Sequence, residues 1–142
     1  MNAEAEKLVV AGELAEAARV LGHPFTVEGV VVEGDRRGKL LGFPTANLDV
    51  AEDQMLPPKG IYAGAALGHR AAISIGVNPH YGGSERRIEA FLLDWVGDLY
   101  GKRLVLELWQ RLRDERAFAS EADLIAQIAE DVEQTRAAER PG

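Results

Sequence analysis

Between Phe25 and Arg111 the chain is made of short apolar stretches cut by turn residues, with no helical pattern among them. Read by alternation, the candidate strands are 25–33, 43–49, 60–67, 70–77, 86–95 and 103–111. Five or six strands in succession without a crossover helix leave no means of building a parallel sheet, so an antiparallel barrel or sandwich is predicted. Leu67-Gly68-His69-Arg70 reads as a tight hairpin within it.

Helical patterns flank this span. Leu14, Ala17, Ala18 and Leu21 fall at i, i+3, i+4 and i+7 and stop before Gly22, with a weaker helix before Gly12. Toward the other end, Ser120 with Asp123 three residues on is a variant of the capping box. Leu124, Ile125, Ile128 and Val132 then form an apolar stripe, which predicts a helix over 120–138 packed on the strands. The division expected is a linker-like helical segment at 1–22 and one domain at 23–142.

Composition narrows the function classes. A chain of 142 residues with 46% hydrophobic and 27% charged residues suits one compact core. The formal net charge of −7 argues against nucleic acid or an anionic membrane as partner, so any positive patch must be local. There is no cysteine, hence no disulfide framework and no thiol chemistry. MNAEAEKLVV has neither the basic start nor the apolar run of a signal peptide, and nothing approaches a membrane span. A cytoplasmic enzyme is the expectation.

The chemistry points to one short region. Pro44 fixes its own φ and pushes Phe43 toward extended geometry, so a strand is expected to start there. Residues two apart in a strand face the same way, which aims the oxygens of Thr45 and Asn47 at one point. Neutral oxygens of this kind suit Mg²⁺, which leans on substrate phosphates for its charge. Just upstream, Gly34, Gly38 and Gly42 allow close backbone approach to phosphates, while Arg36, Arg37 and Lys39 offset their charge. The GK[ST] ending of a Walker A loop is missing. Taken separately, the glycines read as turns and the basic residues as a solvated face; taken together and in this order, they read as a site for a metal-bound polyphosphate.

A candidate base lies on the strand Arg86-Arg87-Ile88-Glu89-Ala90-Phe91-Leu92-Leu93-Asp94. Alternation puts Glu89 with Phe91 and Leu93, and a carboxylate on a strand apolar on both faces is costly unless it has partners or a task. Desolvation there would suit it to accept a hydroxyl proton, whereas pairing with Arg86 or Arg87 would make it structural.

Together, GDRRGKLLGFPTANL, LPPKGIYAG at 56–64, RRIEAFLLD at 86–94, GDLYG at 97–101 and LRDERAF at 112–118 closely resemble the ATP-dependent riboflavin kinases over about residues 23–138. The resemblance implies a six-stranded Greek-key barrel with a helix after the last strand. It implies Glu89 as catalytic base, Thr45 and Asn47 on Mg²⁺ and the ATP phosphates, and the Gly34 to Gly42 loop closing over them. It also implies that Arg113 and Phe118 belong to a mobile loop that encloses the flavin, where a guanidinium plane and an aromatic ring suit an isoalloxazine system. Without it, Phe118 reads equally as core packing and Arg113 as a surface ion pair. The reaction implied is transfer of the ATP γ-phosphoryl group to the ribityl 5′-hydroxyl of riboflavin, giving FMN and ADP.

Two departures stand out. Bacterial members are often bifunctional, with an adenylyltransferase domain that makes FAD; the chain has neither the length nor a His-x-Gly-His motif for it, so FAD synthesis is not expected. Residues 3–22 resemble the helical tail joining those domains, as in an excised kinase module of such a parent. Asn78-Pro79-His80-Tyr81 also stands where the family commonly has a Thr-Phe pair after proline. The rival classes are a barrel that binds flavin or nucleotide without catalysis, and a small-barrel flavin reductase, for which there is no GxGxxG fingerprint.

The remaining candidates are weaker. Asp94 and Asp98 read as turn residues rather than metal ligands, with Asp98 bonding its own backbone. His23, His69 and His80 lack metal-ligand spacing. Trp95 and Trp109 read as core or barrel-end residues, and Tyr62 and Tyr100 as packing or as lining for a nucleotide pocket.

Overall fold

The computed structural model describes residues 1–33, 42–80 and 83–142, and the side chains of all of these but 77–80 and 83–85. The expectations for Gly34, Arg36, Arg37, Gly38, Lys39 and Tyr81, and for the side chain of His80, lie outside the described residues. Among the described residues there are six strands: β1 Phe25–Val32, β2 Ala46–Val50, β3 Gly60–Ala66, β4 His69–His80, β5 Gly83–Leu92 and β6 Arg103–Arg113. They close into a barrel in the order β1-β2-β5-β4-β3-β6, antiparallel at every described pairing, which decides between the two architectures left open by the pattern. Helices α1 Ala3–Val10 and α2 Leu14–Leu21 precede the barrel, and α3 Glu121–Ala137 follows it.

Alternation makes the interior. Phe25, Val27 and Val31 of β1, Ala46 and Leu48 of β2, Ile88 and Ala90 of β5, and Leu104, Leu106 and Leu108 of β6 all turn inward and are buried. Tyr62 of β3 is fully buried among them, and its hydroxyl donates to the Pro58 carbonyl. It therefore packs, and burial holds its phenol in the protonated, donating form by pushing its pKa up. Val9, Leu14 and Ala17 of α1 and α2 join the same core.

Local chemistry sets the ends of these elements. Asn2 caps α1 through Ala5 N at 2.8 Å, Gly22 ends α2 at φ 83°, and Ser120 Oγ accepts from Asp123 N at 3.2 Å. The β3–β4 hairpin pairs Ala66 with His69, and both intervening residues have positive φ, Leu67 at 53° and Gly68 at 77°. That is the geometry of a type I′ turn, whose twist matches the strands. The Tyr100 N–H bonds Asp98 Oδ1 at 2.9 Å, so Asp98 serves its own turn.

Several boundaries shift. Phe43, Pro44 and Thr45 precede β2 rather than belonging to it, because the strand begins where Ala46 meets Ala90. At the far end of β5, Leu93, Asp94 and Trp95 leave the ladder at Asp94, whose φ of 62° no strand accommodates. Strand β6 runs two residues past the predicted end, through two bulges opposite β3.

The C-terminal helix departs most from expectation. Its most buried residues are Asp131 and Thr135, while Ile125 is 37% exposed and Leu124, Ile128 and Val132 are only half-buried. Of the apolar stripe, Leu124 and Ile128 line a cavity between α3 and the sheet.

Close strand approach depends on Gly64, where a Cβ would lie 1.8 Å from the Glu107 carbonyl oxygen on β6. Gly64→Ala must push β3 and β6 apart, so we expect a loss of about 3 kcal/mol. A melting temperature lowered by roughly 10 °C in calorimetry checks it.

Candidate functional site

Two cavities meet at the start of β2. One, of about 600 Å³, opens at a barrel end beneath the 95–100 turn and is lined by Val31, Thr45, Asn47, Trp95 and Tyr100 among others. The other, of about 790 Å³, lies between the outer barrel wall and α3, and is lined by Phe43, Thr45, Glu89, Phe91, Phe118 and Leu124 among others. Thr45 borders both.

The register of the short β2–β5 ladder sets what faces what. Ala46 pairs with Ala90 and Leu48 with Ile88, all inward, so the pair between them, Asn47 and Glu89, turns outward together. Side chains directly opposite in such a pair have Cβ atoms about 5 Å apart. On its other side Glu89 is in register with Ser74 of β4. The structure therefore brings Thr45, Asn47 and Glu89 to one place, where the first cavity adjoins the second.

The expectation of a strand apolar on both faces is corrected here. Glu89 is half-buried, and its outward face carries Arg87, Ser74 and Asn47 as well as Phe91. Arg86 and Arg87 bond elsewhere. Arg86 donates to the carbonyls of Gln54, Ala51 and Glu52 at 2.6, 2.6 and 3.0 Å, while Arg87 Nη2 meets Glu115 Oε1 at 2.9 Å.

The outer cavity is walled by the segment after β6. Arg113, expected as a weak surface pair if it were only structural, makes a forked pair with buried Asp131, Nε to Oδ1 at 2.8 Å and Nη2 to Oδ2 at 2.7 Å. Gln127 Nε2 adds a third bond to Asp131 Oδ1 at 3.0 Å. Phe118 is half-buried at the cavity edge, with the Arg113 and Arg116 guanidinium carbons 5.9 and 5.0 Å from its ring centroid. Phe43 stands edge-on to Phe91 at 5.7 Å, closing the other side. Leu124 and Ile128 of α3 look into this space. The lining is mixed, with apolar faces from Phe43, Phe91 and Phe118 and charged groups from Lys59, Arg87 and Glu115, so the slot offers a ligand both apolar area and polar contacts.

Asp131, Glu115 and Ser74 were not among the residues singled out from the sequence. Asp131 falls at i+7 from Leu124 and i+3 from Ile128, on the apolar face of α3, and that spacing is the signal by which its burial could have been found. The other tempting groups take structural places. Asp94 is bonded to Arg136 at 2.9 and 3.0 Å, which lowers its pKa. Trp109 packs with Ala63 and Ala138, and Trp95 stands edge-on to His69 at 5.4 Å. Tyr100, 60% exposed, lines the first cavity, and Gly42, at φ 89°, precedes the Phe43–Thr45 stretch.

The chain is similar to known proteins over most of its length. Residues 21–139 match the family model described as flavokinase, riboflavin kinase. The chain is 38% identical over 136 residues to a bifunctional riboflavin kinase/FMN adenylyltransferase of Listeria monocytogenes, covering 92% of this chain and 43% of that protein. It is 42% identical over 120 residues to a bifunctional riboflavin kinase/FMN phosphatase of Arabidopsis thaliana, covering 78% and 32%. The chain thus spans less than half the length of either relative. Among solved structures, riboflavin kinase from Trypanosoma brucei superposes with a TM-score of 0.61 at 25% identity, covering 80% of this chain and 78% of that one. A Streptococcus pneumoniae structure described as a macrolide-efflux protein superposes with a TM-score of 0.92 at 31% identity, covering 98% and 47%.

The forked pair yields a stability test. Asp131→Ala leaves the mostly buried Arg113 charge without its partner and is expected to cost about 3 kcal/mol. Asp114→Ala removes an 86% exposed partner of Arg111 and should change stability by less than about 1 kcal/mol. Urea unfolding of the two variants measures the difference.

Proposed function

The chain belongs to the riboflavin kinase (flavokinase) family, and we propose that its paired cavities carry out the ATP-dependent phosphorylation of the ribityl 5′-hydroxyl of riboflavin. The observation that carries this reading is the meeting of the two cavities at Thr45, with Asn47 and Glu89 cross-strand partners beside it. A nucleotide in the barrel-end cavity and a flavin in the outer one would place a γ-phosphate and an alcohol on either side of that junction.

The donor set suits magnesium carried by phosphates. Thr45 and Asn47 offer neutral oxygens, and among the described residues there is no cluster of three or more His, Cys, Asp and Glu able to hold a metal. Bound there with ATP, Mg²⁺ would neutralise charge on the phosphate oxygens. The protein does the rest by alignment. Phe43, Phe91, Phe118 and the α3 apolar residues hold the ring system and exclude water. Glu89 accepts the proton as the alcohol oxygen bonds to the γ-phosphorus and the bond to the β-bridging oxygen breaks, releasing ADP. The basic residues at 36, 37 and 39 fit as charge partners for the triphosphate. Arg113 and Phe118 fit as the flavin side of the site. Residues 23–142 act as the kinase domain in this reading, with 1–22 as its helical extension. We place the reaction in the cytoplasm, where ATP and riboflavin meet; among the described residues no helix is long and apolar enough to cross a membrane. Where a parent chain has an adenylyltransferase half, the FMN made here is its substrate.

Incubating the purified chain with riboflavin, ATP and Mg²⁺, then separating the flavins by chromatography, is expected to yield FMN, and chelating the metal to stop it. Glu89→Gln should lower kcat by about 10²- to 10³-fold with both KM values within a few-fold. Thr45→Ala or Asn47→Ala should raise the KM for ATP about tenfold, a change of roughly 1.4 kcal/mol. Wild-type turnover by Glu89→Gln removes the proposed base, and absence of FMN removes the reaction.

A further inference from the structure

Residues 114–120 cross from the end of β6 to the start of α3 along the outer cavity, and ion pairs hold both flanks of this segment. On the helix side the tie is Arg113 to Asp131. On the barrel side it is Glu115, whose Oε1 accepts from Arg87 Nη2 at 2.9 Å and from Ser74 Oγ at 3.0 Å. Both donors adjoin Glu89: Ser74 is its register partner on β4, and Arg87 lies two residues back on the same face of β5.

This ion pair sits on a glycine. Gly76 is the register partner of Arg87, and a Cβ there would come within 2.7 Å of Arg87 Nη2 and 2.8 Å of Glu115 Oε1. The backbone at Gly76 is outside the positive-φ region, so conformation does not call for glycine at this point. What the residue supplies is room for the two side chains. Among the described residues, Arg87 Nε is moreover buried with no hydrogen-bond partner.

We propose that the Arg87–Glu115 pair seated on Gly76 is a latch for the 114–120 segment, with Glu115 a positioning residue that sets Phe118 and Arg116 over the riboflavin beside Glu89. It rests on the reading of the outer cavity as the riboflavin site. Closed, the latch completes the cavity wall next to the reacting alcohol. Open, it frees a wall of the cavity that is built from connecting chain, and so gives the flavin a way in and out.

Two variants avoid the groups assigned to the reaction: Gly76→Ala, which adds a methyl where the pair sits, and Glu115→Gln, which keeps the size and the bond to Ser74 but loses the charge. Each is expected to raise the KM for riboflavin about five- to tenfold while leaving that for ATP within about twofold. Each should also speed trypsin cleavage after the exposed Arg116, located by mass spectrometry, by a similar factor. Where Gly76→Ala does not fold, Glu115→Gln carries the test. Wild-type cleavage and an unchanged riboflavin KM in a folded variant overturn the proposal, as does a parallel rise in both KM values with a lowered melting temperature. If the wild-type chain makes no FMN, the reading of the cavity fails, while faster cleavage in the variants still reports the latch.

Discussion

Three rungs of backbone pairing between β2 and β5 hold the site together. The ladder is short, yet its register is firmly set, because a slip of one residue would turn Ala46, Leu48, Ile88 and Ala90 out of the core and drive Asn47 and Glu89 into it. The hydrophobic interior thus fixes a polar pair on the opposite face. The precision of the chemistry is borrowed from the packing of small and branched apolar side chains that never touch a substrate.

The outer cavity exists because α3 stands away from the wall. A helix whose apolar stripe met the sheet would have filled that space with leucine and isoleucine. Here the ties to the barrel include polar ones, the Arg113–Asp131 fork and, near the C-terminus, Arg70 Nη2 to the Ala138 carbonyl at 3.1 Å, beside the packing of Ala138 on Ala63 and Trp109. Polar struts of fixed length keep the gap open, and the half-buried Leu124 and Ile128 remain available to a ligand. Burying a charged pair brings little net stability, so its use at this position accords with a role in shape rather than in cohesion.

Much of this was legible in the chain. Alternation and turn residues indicated the strands, and Ser120 and Gly22 marked helix ends as side-chain and left-handed caps must. Closure into a barrel was not legible from periodicity, which is the same for a sandwich; it came with the family likeness. The start of β2 was misplaced because proline preorganises extended backbone without supplying a pairing partner. Glu89 was found for an incomplete reason, since the run Ile88 to Leu93 looks apolar on both faces until its cross-strand partners Asn47 and Ser74 are known. Asp131 and Glu115 were not picked out, because the pairing of an acid with a guanidinium from another element is a tertiary property.

Thr45 lies one residue before the ladder that fixes Asn47 and Glu89. The two sides of the junction therefore differ in stiffness. Glu89 is clamped between β2 and β4, while the residue bordering both cavities has no ladder partner among the described residues. Adjustment to a changing ligand falls on the unpaired side, and the proposed proton acceptor stays where the fold has put it.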